Sequence, residues 1–319
     1  MNTSIAHEIA LKLTSARRVL LVCHRRPDPD SLGSAVSMGA FLEAKKISHS
    51  YYCPTPFPPE AVFFGINPDQ KSVRAEEIMS AFDVVCVFDA SDLKHAGLDS
   101  LDTHGPRPFI IVFDHHATNT RFGNINAIDI ACASTTELMV HFFEVLRFPL
   151  SARVSAWLLA GLLVDTDHFM NPATSASSLT TAGVLIARGV SLPSVRQFLF
   201  ERREIGTLHL IGEVLSRLRK NSHYEVAISY ITDEDLRRYK VGQDDLDGIA
   251  NILNVVGDAK AMILLYAFNG IIKGSFRTTR EDVNVGYLAE LLGGGGHRKA
   301  AGFRIKGGLR IEGDCVTVL

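Results

Sequence analysis

The chain has 319 residues, 33 Lys and Arg against 35 Asp and Glu, and a formal charge of −2. Hydrophobic content of 46% and charged content of 21% place it among globular chains with room for two cores. The slight acidity excludes the broad basic face of a duplex-DNA binder but leaves room for a local anion pocket.

Taken along the chain, IAHEIALKL has helical spacing and RVLLVC reads as a buried strand. SLGSAVSMGAFLEAKK reads as a helix capped by Ser31, and DVVCVF and FIIVF as further strands. Ser134 with Glu137 forms a capping box ahead of LMVHFFEVL, Ser151 opens SARVSAWLLAGLLV, and SSLTTAGVLIARG ends at Gly189. This alternation predicts an α/β domain on a parallel sheet over 1–191. Residues 192–220 read as a helical linker, charged on one face. From 221 to 319 the order changes to YEVAISYI, an acidic helix around ITDEDLRRY, AMILLYAF, IIKGSFRT and NVGYLAELL, a smaller α+β domain with a hairpin at Asn269-Gly270. Cys23, Cys53, Cys86, Cys132 and Cys315 are scattered without a C-x-x-C pair, which predicts buried, reduced thiols. VSAWLLAGLLV is too short to span a bilayer, and no basic-then-apolar signal opens the sequence, so a cytoplasmic location with no membrane partner is expected.

Four apolar, strand-like runs each end in acids or histidines. VLLVC leads to His24, Asp28 and Asp30; VVCVF to Asp89; FIIVF to Asp114, His115 and His116; LLAGLLV to Asp165. Ligands collect outside the carboxyl ends of strands in open α/β sheets. Pro27 and Pro29 push Arg26 and Asp28 towards extended backbone, which predicts that Asp28 and Asp30 point the same way. Singly, each acid is an ordinary cap or turn residue. Together they repel one another unless cations compensate them. Mixed carboxylate and imidazole donors point to Mn²⁺, with Mg²⁺ as the alternative, and two ions about 3.5–4 Å apart suit phosphoester hydrolysis. In the second domain Gly293 to Gly296, followed by His297 and Arg298, read as backbone open to an anion, with Arg277 adding charge.

These segments resemble the four motifs of the DHH phosphoesterases, and GGGGHRKAAGF resembles the signature of their DHH-associated domain. The length is similar to the group of bacterial oligoribonucleases that also act as 3′-phosphoadenosine 5′-phosphate phosphatases. The resemblance implies a metal-binding DHH domain and a substrate-binding second domain. It implies that His24, Asp28 and Asp89 hold one ion and that Asp30, Asp89, His115 and Asp165 hold the other. Asp114 then orients His115, and His116 faces the phosphate as the catalytic donor. Arg277, Gly294, Gly295, Gly296, His297 and Arg298 bind substrate. Short single-stranded RNA or small nucleotides are the implied partners, and a homodimer is compatible with them. A phosphodiesterase for linear or cyclic dinucleotides, and a nucleotide sensor without catalysis, are the competing readings. Asp167-His168 departs from the family pattern, where a glycine-containing turn is common.

Overall fold

The computed structural model describes the chain except residues 70–76, 79–80, 100–107, 201–203, 243–245, 247–248, 254–255, 297, 313–314 and 319. It divides into two compact units, 1–201 and 202–319. The α/β reading of the first unit and the smaller α+β reading of the second both hold.

In the first unit, helix α1 (Thr3–Thr14) leads into strand β1 (Arg18–Cys23), and α2 (Pro29–Ala44) follows. β2 (Ser48–Tyr52), β3 (Val84–Phe88), β4 (Phe109–Asp114) and β5 (Ile125–Ile128) complete a sheet of order β2-β1-β3-β4-β5. Every pairing in it is parallel. The central strands are buried on both faces, with Val19, Leu21 and Cys23 in the core under the helices and Leu20 and Val22 in the core on the other side. That double burial is why their sequences run apolar without alternation. Order reverses between β1 and β3, a switch point of the kind that opens a crevice at the carboxyl edge.

Helices α3 (Thr135–Val145), α4 (Ala152–Asp165), α5 (Ala176–Ala187) and α6 (Leu192–Phe200) follow the sheet. The run before Asp165 is the helix that the Ser151 cap predicts, although its end resembles a strand, and Asp165 is its last residue. Ser151 caps α4 as expected, its hydroxyl oxygen accepting from the Val154 N–H. Two expected caps differ. Asp28, not Ser31, caps α2, accepting from the Asp30 and Ser31 N–H groups. The Glu137 side chain reaches the Ala133 N–H at 2.7 Å, while Ser134 alone caps α3. Arg26 also departs from extended backbone, with φ +55.

Two glycines let α4 sit close to the rest of the unit. A Cβ on Gly33 would stand 2.6 Å from the Trp157 carbonyl oxygen, and one on Gly161 would stand 2.6 Å from Thr136 Cγ2 and 2.8 Å from Asp30 Cα. Gly161→Ala is expected to cost about 1–3 kcal/mol, the usual penalty for overpacking, and to weaken metal binding by displacing Asp30. Denaturant midpoints and metal titrations of the variant check this; if both stay unchanged, the helix does not position Asp30.

In the second unit α7 (Ile205–Ser216), β6 (Arg219–Asn221), β7 (Val226–Ile231) and α8 (Asp233–Tyr239) precede α9 (Ile249–Ile252). Then come β8 (Ala261–Phe268), β9 (Ile271–Arg277), α10 (Val285–Leu291), β10 (Gly295–Gly296) and β11 (Ala300–Lys306). The sheet order is β10-β11-β9-β8-β7-β6, and β12 (Leu309–Glu312) pairs with β13 (Cys315–Val318) apart from it. The Asn269-Gly270 hairpin is present, both residues having positive φ (+45 and +72) as a two-residue turn requires. Residues 192–220 thus contain one helix of the first unit and a helix and a strand of the second. Cys23, Cys53, Cys86 and Cys132 are buried and form no disulfide among the described residues; the Cys315 side chain lies outside the described residues. Among the described residues no helix is long and apolar enough to cross a membrane.

Candidate metal centre

The carboxyl ends of β1, β3 and β4 and the end of α4 bring His24, Asp28, Asp30, Asp89, His115 and Asp165 together. His24, Asp28 and Asp89 form one group able to hold a cation, and Asp30, His115 and Asp165 form a second. Asp89 faces both. Its Oδ2 lies 3.3 Å from His24 Nε2, and its Oδ1 lies 3.6 Å from His115 Nε2. Asp89 also groups with His115 and His116. It is buried and takes a left-handed backbone, φ +57, just after the last residue of β3. Its N–H still donates to the Phe113 carbonyl, so the turn begins without breaking the ladder.

Each ligand is held by a local cause. The His24 Nδ1–H donates to the Arg25 carbonyl at 2.9 Å, which turns Nε2 towards Asp28 and Asp89 at 3.5 and 3.3 Å. A hydrogen bond on one ring nitrogen fixes the other as the ligand atom. Asp28 and Asp30 converge, but not through extended backbone. Asp28 caps α2 while Asp30, in its first turn, reaches the N-terminus of α3 and accepts from the Thr135 and Thr136 N–H groups, both at 2.8 Å. Those N–H groups stabilise a fully buried carboxylate. Thr135 adds a hydroxyl bond to Asp89 Oδ1 at 3.1 Å. Thr135 and Thr136 are site residues the sequence reading missed; the only signal was the N-cap serine just before them.

The DHH triplet differs in one role from expectation. Asp114 Oδ1 accepts from the backbone N–H groups of His115 and His116, and its ring contact, at 2.8 Å, is to His116 Nδ1. It therefore orients the His116 ring and reaches His115 only through the main chain. Asn119, also unassigned from sequence, donates to Asp114 Oδ2 at 2.5 Å and to the Ala90 carbonyl. Burial pushes the Asp114 carboxyl up, but His116 and Asn119 outweigh it and hold it below the usual range.

The donor set fits divalent cations on an observation of its own. His115 Nε2 is buried and has no hydrogen-bond partner, although Asp165 Oδ2 lies 3.1 Å away. An imidazole nitrogen and a carboxylate oxygen this close, yet not aligned for a hydrogen bond, suit a shared cation. Electrostatics agree. Burial and the Asp89 charge push Asp30 up to about 7. Burial and repulsion from Asp30 raise Asp165 well above the carboxylate range. Burial pulls the imidazoles down, yet neighbouring carboxylates hold His24 up at about 11 and His115 at about 10. Without metal, the cluster holds protons in place of cations.

Metal loading at pH 7 is accordingly expected to expel protons from His24 and His115, and affinity is expected to rise with pH across the neutral range. Calorimetric titrations in buffers of different ionisation heat count those protons. A count of zero would remove the histidines from the ligand set.

Beyond Asp165 the departure from the family pattern is a tight turn in which Asp167, His168 and Phe169 all have positive φ (+48, +58 and +65). Asn171 Nδ2 secures it on the Asp165 carbonyl at 2.7 Å. Asp165 keeps its place without a glycine there.

In the second unit, Gly295 and Gly296 pair with Gly302 and Ala301. A Cβ on Gly294 would meet the Gly302 carbonyl oxygen at 2.1 Å, so close strand approach explains that glycine. Arg277 Nη1 donates to the Phe276 carbonyl and Arg298 Nη2 to the Glu281 carbonyl. His297 lies outside the described residues.

Residues 18–163 match the DHH family, N-terminal domain, and residues 223–313 match the DHHA1 domain. A bifunctional oligoribonuclease and PAP phosphatase NrnA of Thermus thermophilus is 26% identical over 91% of this chain and 84% of its own length. Its namesake in Bacillus subtilis is 22% identical over 96% and 93%. An exopolyphosphatase-related protein of Bacteroides fragilis shares the fold, with a TM-score of 0.83 at 22% identity, covering 95% of this chain and 91% of that one.

Proposed function

Because the chain belongs to the DHH phosphoesterase family and carries the associated DHHA1 domain, we propose that it hydrolyses short RNA oligonucleotides to nucleoside monophosphates, and 3′-phosphoadenosine 5′-phosphate to AMP. The observation that carries this reading is Asp89, whose two oxygens face two separate ligand groups. Similarity to two bifunctional oligoribonucleases over nine-tenths of the chain supports the substrate class.

Two divalent ions, Mn²⁺ in this reading, supply Lewis-acid polarisation of the phosphate and a nucleophilic water. His24, Asp28 and Asp89 hold one, and Asp30, Asp89, His115 and Asp165 the other. His116 serves as proton donor to the phosphate or its leaving oxygen. Burial lowers its imidazole, but the Asp114 hydrogen bond outweighs that and raises it above the ordinary histidine value, which favours the protonated donor. Arg277, the glycines 294–296, His297 and Arg298 form the anion grip of the second domain.

A side-by-side rate comparison tests the reading, using a dinucleotide, a pentanucleotide, long single-stranded RNA, the bisphosphonucleotide and a cyclic dinucleotide, with Mn²⁺ and after chelation. Turnover is expected to fall steeply with RNA length, because a chain with 33 basic against 35 acidic residues offers a long polyanion little net attraction. Equal or faster degradation of long strands, or action on the cyclic dinucleotide alone, refutes it.

A further inference from the structure

The loop after β1 and the turn after β3 are fastened to each other beside the metal centre. The Arg25 N–H donates to the His95 carbonyl and Arg25 Nε to the Lys94 carbonyl, each at 3.1 Å. The His95 ring stacks on His24 with centroids 4.8 Å apart and planes at 23°. The Asp92 carboxylate ties the turn internally by accepting the His95 N–H at 2.7 Å. On the other side of the loop the Arg26 N–H donates to Thr55 Oγ1 at 2.9 Å, and Arg26 holds φ +55, a conformation unusual outside glycine.

This fastening holds Arg25, Arg26, Lys94 and His95, all exposed, on segments that carry or touch a ligand histidine. Among the described residues, no carboxylate pairs with Arg25, Arg26 or Lys94. Asp92 is engaged by the His95 N–H, and matching Asp28, Asp30, Asp89 and Asp165 with two divalent cations would cancel their pull on Arg25, Arg26 and Lys94. A fixed backbone bearing uncompensated charge next to a phosphoester site is a ready receptor for another anion.

We propose that Arg26 and Lys94, set on the rim of the metal centre by Arg25 and His95, form a subsite for a second phosphate of the substrate, one ribose from the phosphate at the metals. The proposal rests on the phosphoesterase reading above and deepens it. It assigns a phosphate grip to the first unit, separate from the residues of the DHHA1 domain. The second phosphate belongs either to a bisphosphonucleotide or to the 5′ end of a short oligonucleotide, and guanidinium and ammonium groups recognise both in the same way.

The test is a binding cycle on the full chain loaded with Ca²⁺ to hold back turnover. Wild type and the Arg26→Gln/Lys94→Gln variant are titrated calorimetrically with 3′-AMP and with adenosine 3′,5′-bisphosphate, then with ApA and with pApA. The added phosphate is expected to tighten wild-type binding about tenfold or more, and the variant to lose that gain while binding 3′-AMP as before. Metal content stays the same. A gain with pApA assigns the second phosphate to an oligonucleotide, and a gain with the bisphosphate alone assigns it to the mononucleotide. A variant that keeps the preference, a variant that weakens both members of a pair equally, or a wild type with no preference overturns the subsite. Hydrolysis with Mn²⁺ is measured separately. Its absence in wild type would tell against the phosphoesterase reading, while the binding ratio still decides the rim.

Discussion

Asp89→Asn is expected to empty both halves of the metal centre and to lower turnover about a thousandfold or more, over 4 kcal/mol of transition-state stabilisation. The reason is geometric. One oxygen of Asp89 faces His24 at 3.3 Å and the other faces His115 at 3.6 Å, so an amide removes a ligand atom and the shared charge together. Asparagine tolerates φ +57, which makes it the fair test; Asp89→Ala adds backbone strain to the same loss. Metal analysis beside the melting temperature separates ligand loss from unfolding. Near-normal Mn²⁺-dependent hydrolysis by a folded Asp89→Asn protein would refute the bridge.

Asp114→Asn is expected to lower turnover about 10–100-fold with metal content almost unchanged. Asp114 contacts the His116 ring at 2.8 Å and touches His115 only at the backbone. With Asp114 in place, His116 keeps its proton above the usual histidine range, so a reaction needing that proton fades as pH rises through the raised value. In the variant the alkaline limb of the pH–rate profile moves to lower pH. An unmoved limb would remove the proton from His116, and loss of metal would return Asp114 to the His115 ring.

The clustering of His24, Asp28, Asp30, Asp89, His115 and Asp165 was legible in the sequence because each follows an apolar run whose end the fold brings to one edge. Residue type at a strand end carries that information without contacts. What decided the remaining details was tertiary. VSAWLLAGLLV serves helix or strand equally well by hydrophobicity, and its close packing on Gly33 of α2, and through its own Gly161 on Thr136 and Asp30, settles it as a helix. Asp30 lies next to Asp28 in sequence, yet it turns to α3, which begins at residue 135, a partner no spacing rule can supply. Arg26 takes a left-handed conformation against the preference of a residue before proline because Thr55 and the His95 turn hold the loop. Short strands such as β5 and β10 carry too few residues for any periodicity to show. The role of Asp114 could not be read either, since both neighbouring histidines lie within reach of one carboxylate.

The ligands also span the first unit end to end. His24 stands near its beginning, Asp89 and His115 in the middle, and Asp165 at the end of the second helix beyond the sheet. Cations held by all of them would close chain segments of many tens of residues at a single point, much as a cross-link does, and would take the entropy of those loops from the unfolded chain. Such a clasp would need β1, β3, β4 and the end of α4 in place, because no local segment contains a complete set. Metal capture would therefore belong to the end of folding. Once made, it opposes opening of the whole unit at once, so the same atoms that serve the chemistry also act as the last fastening of the domain.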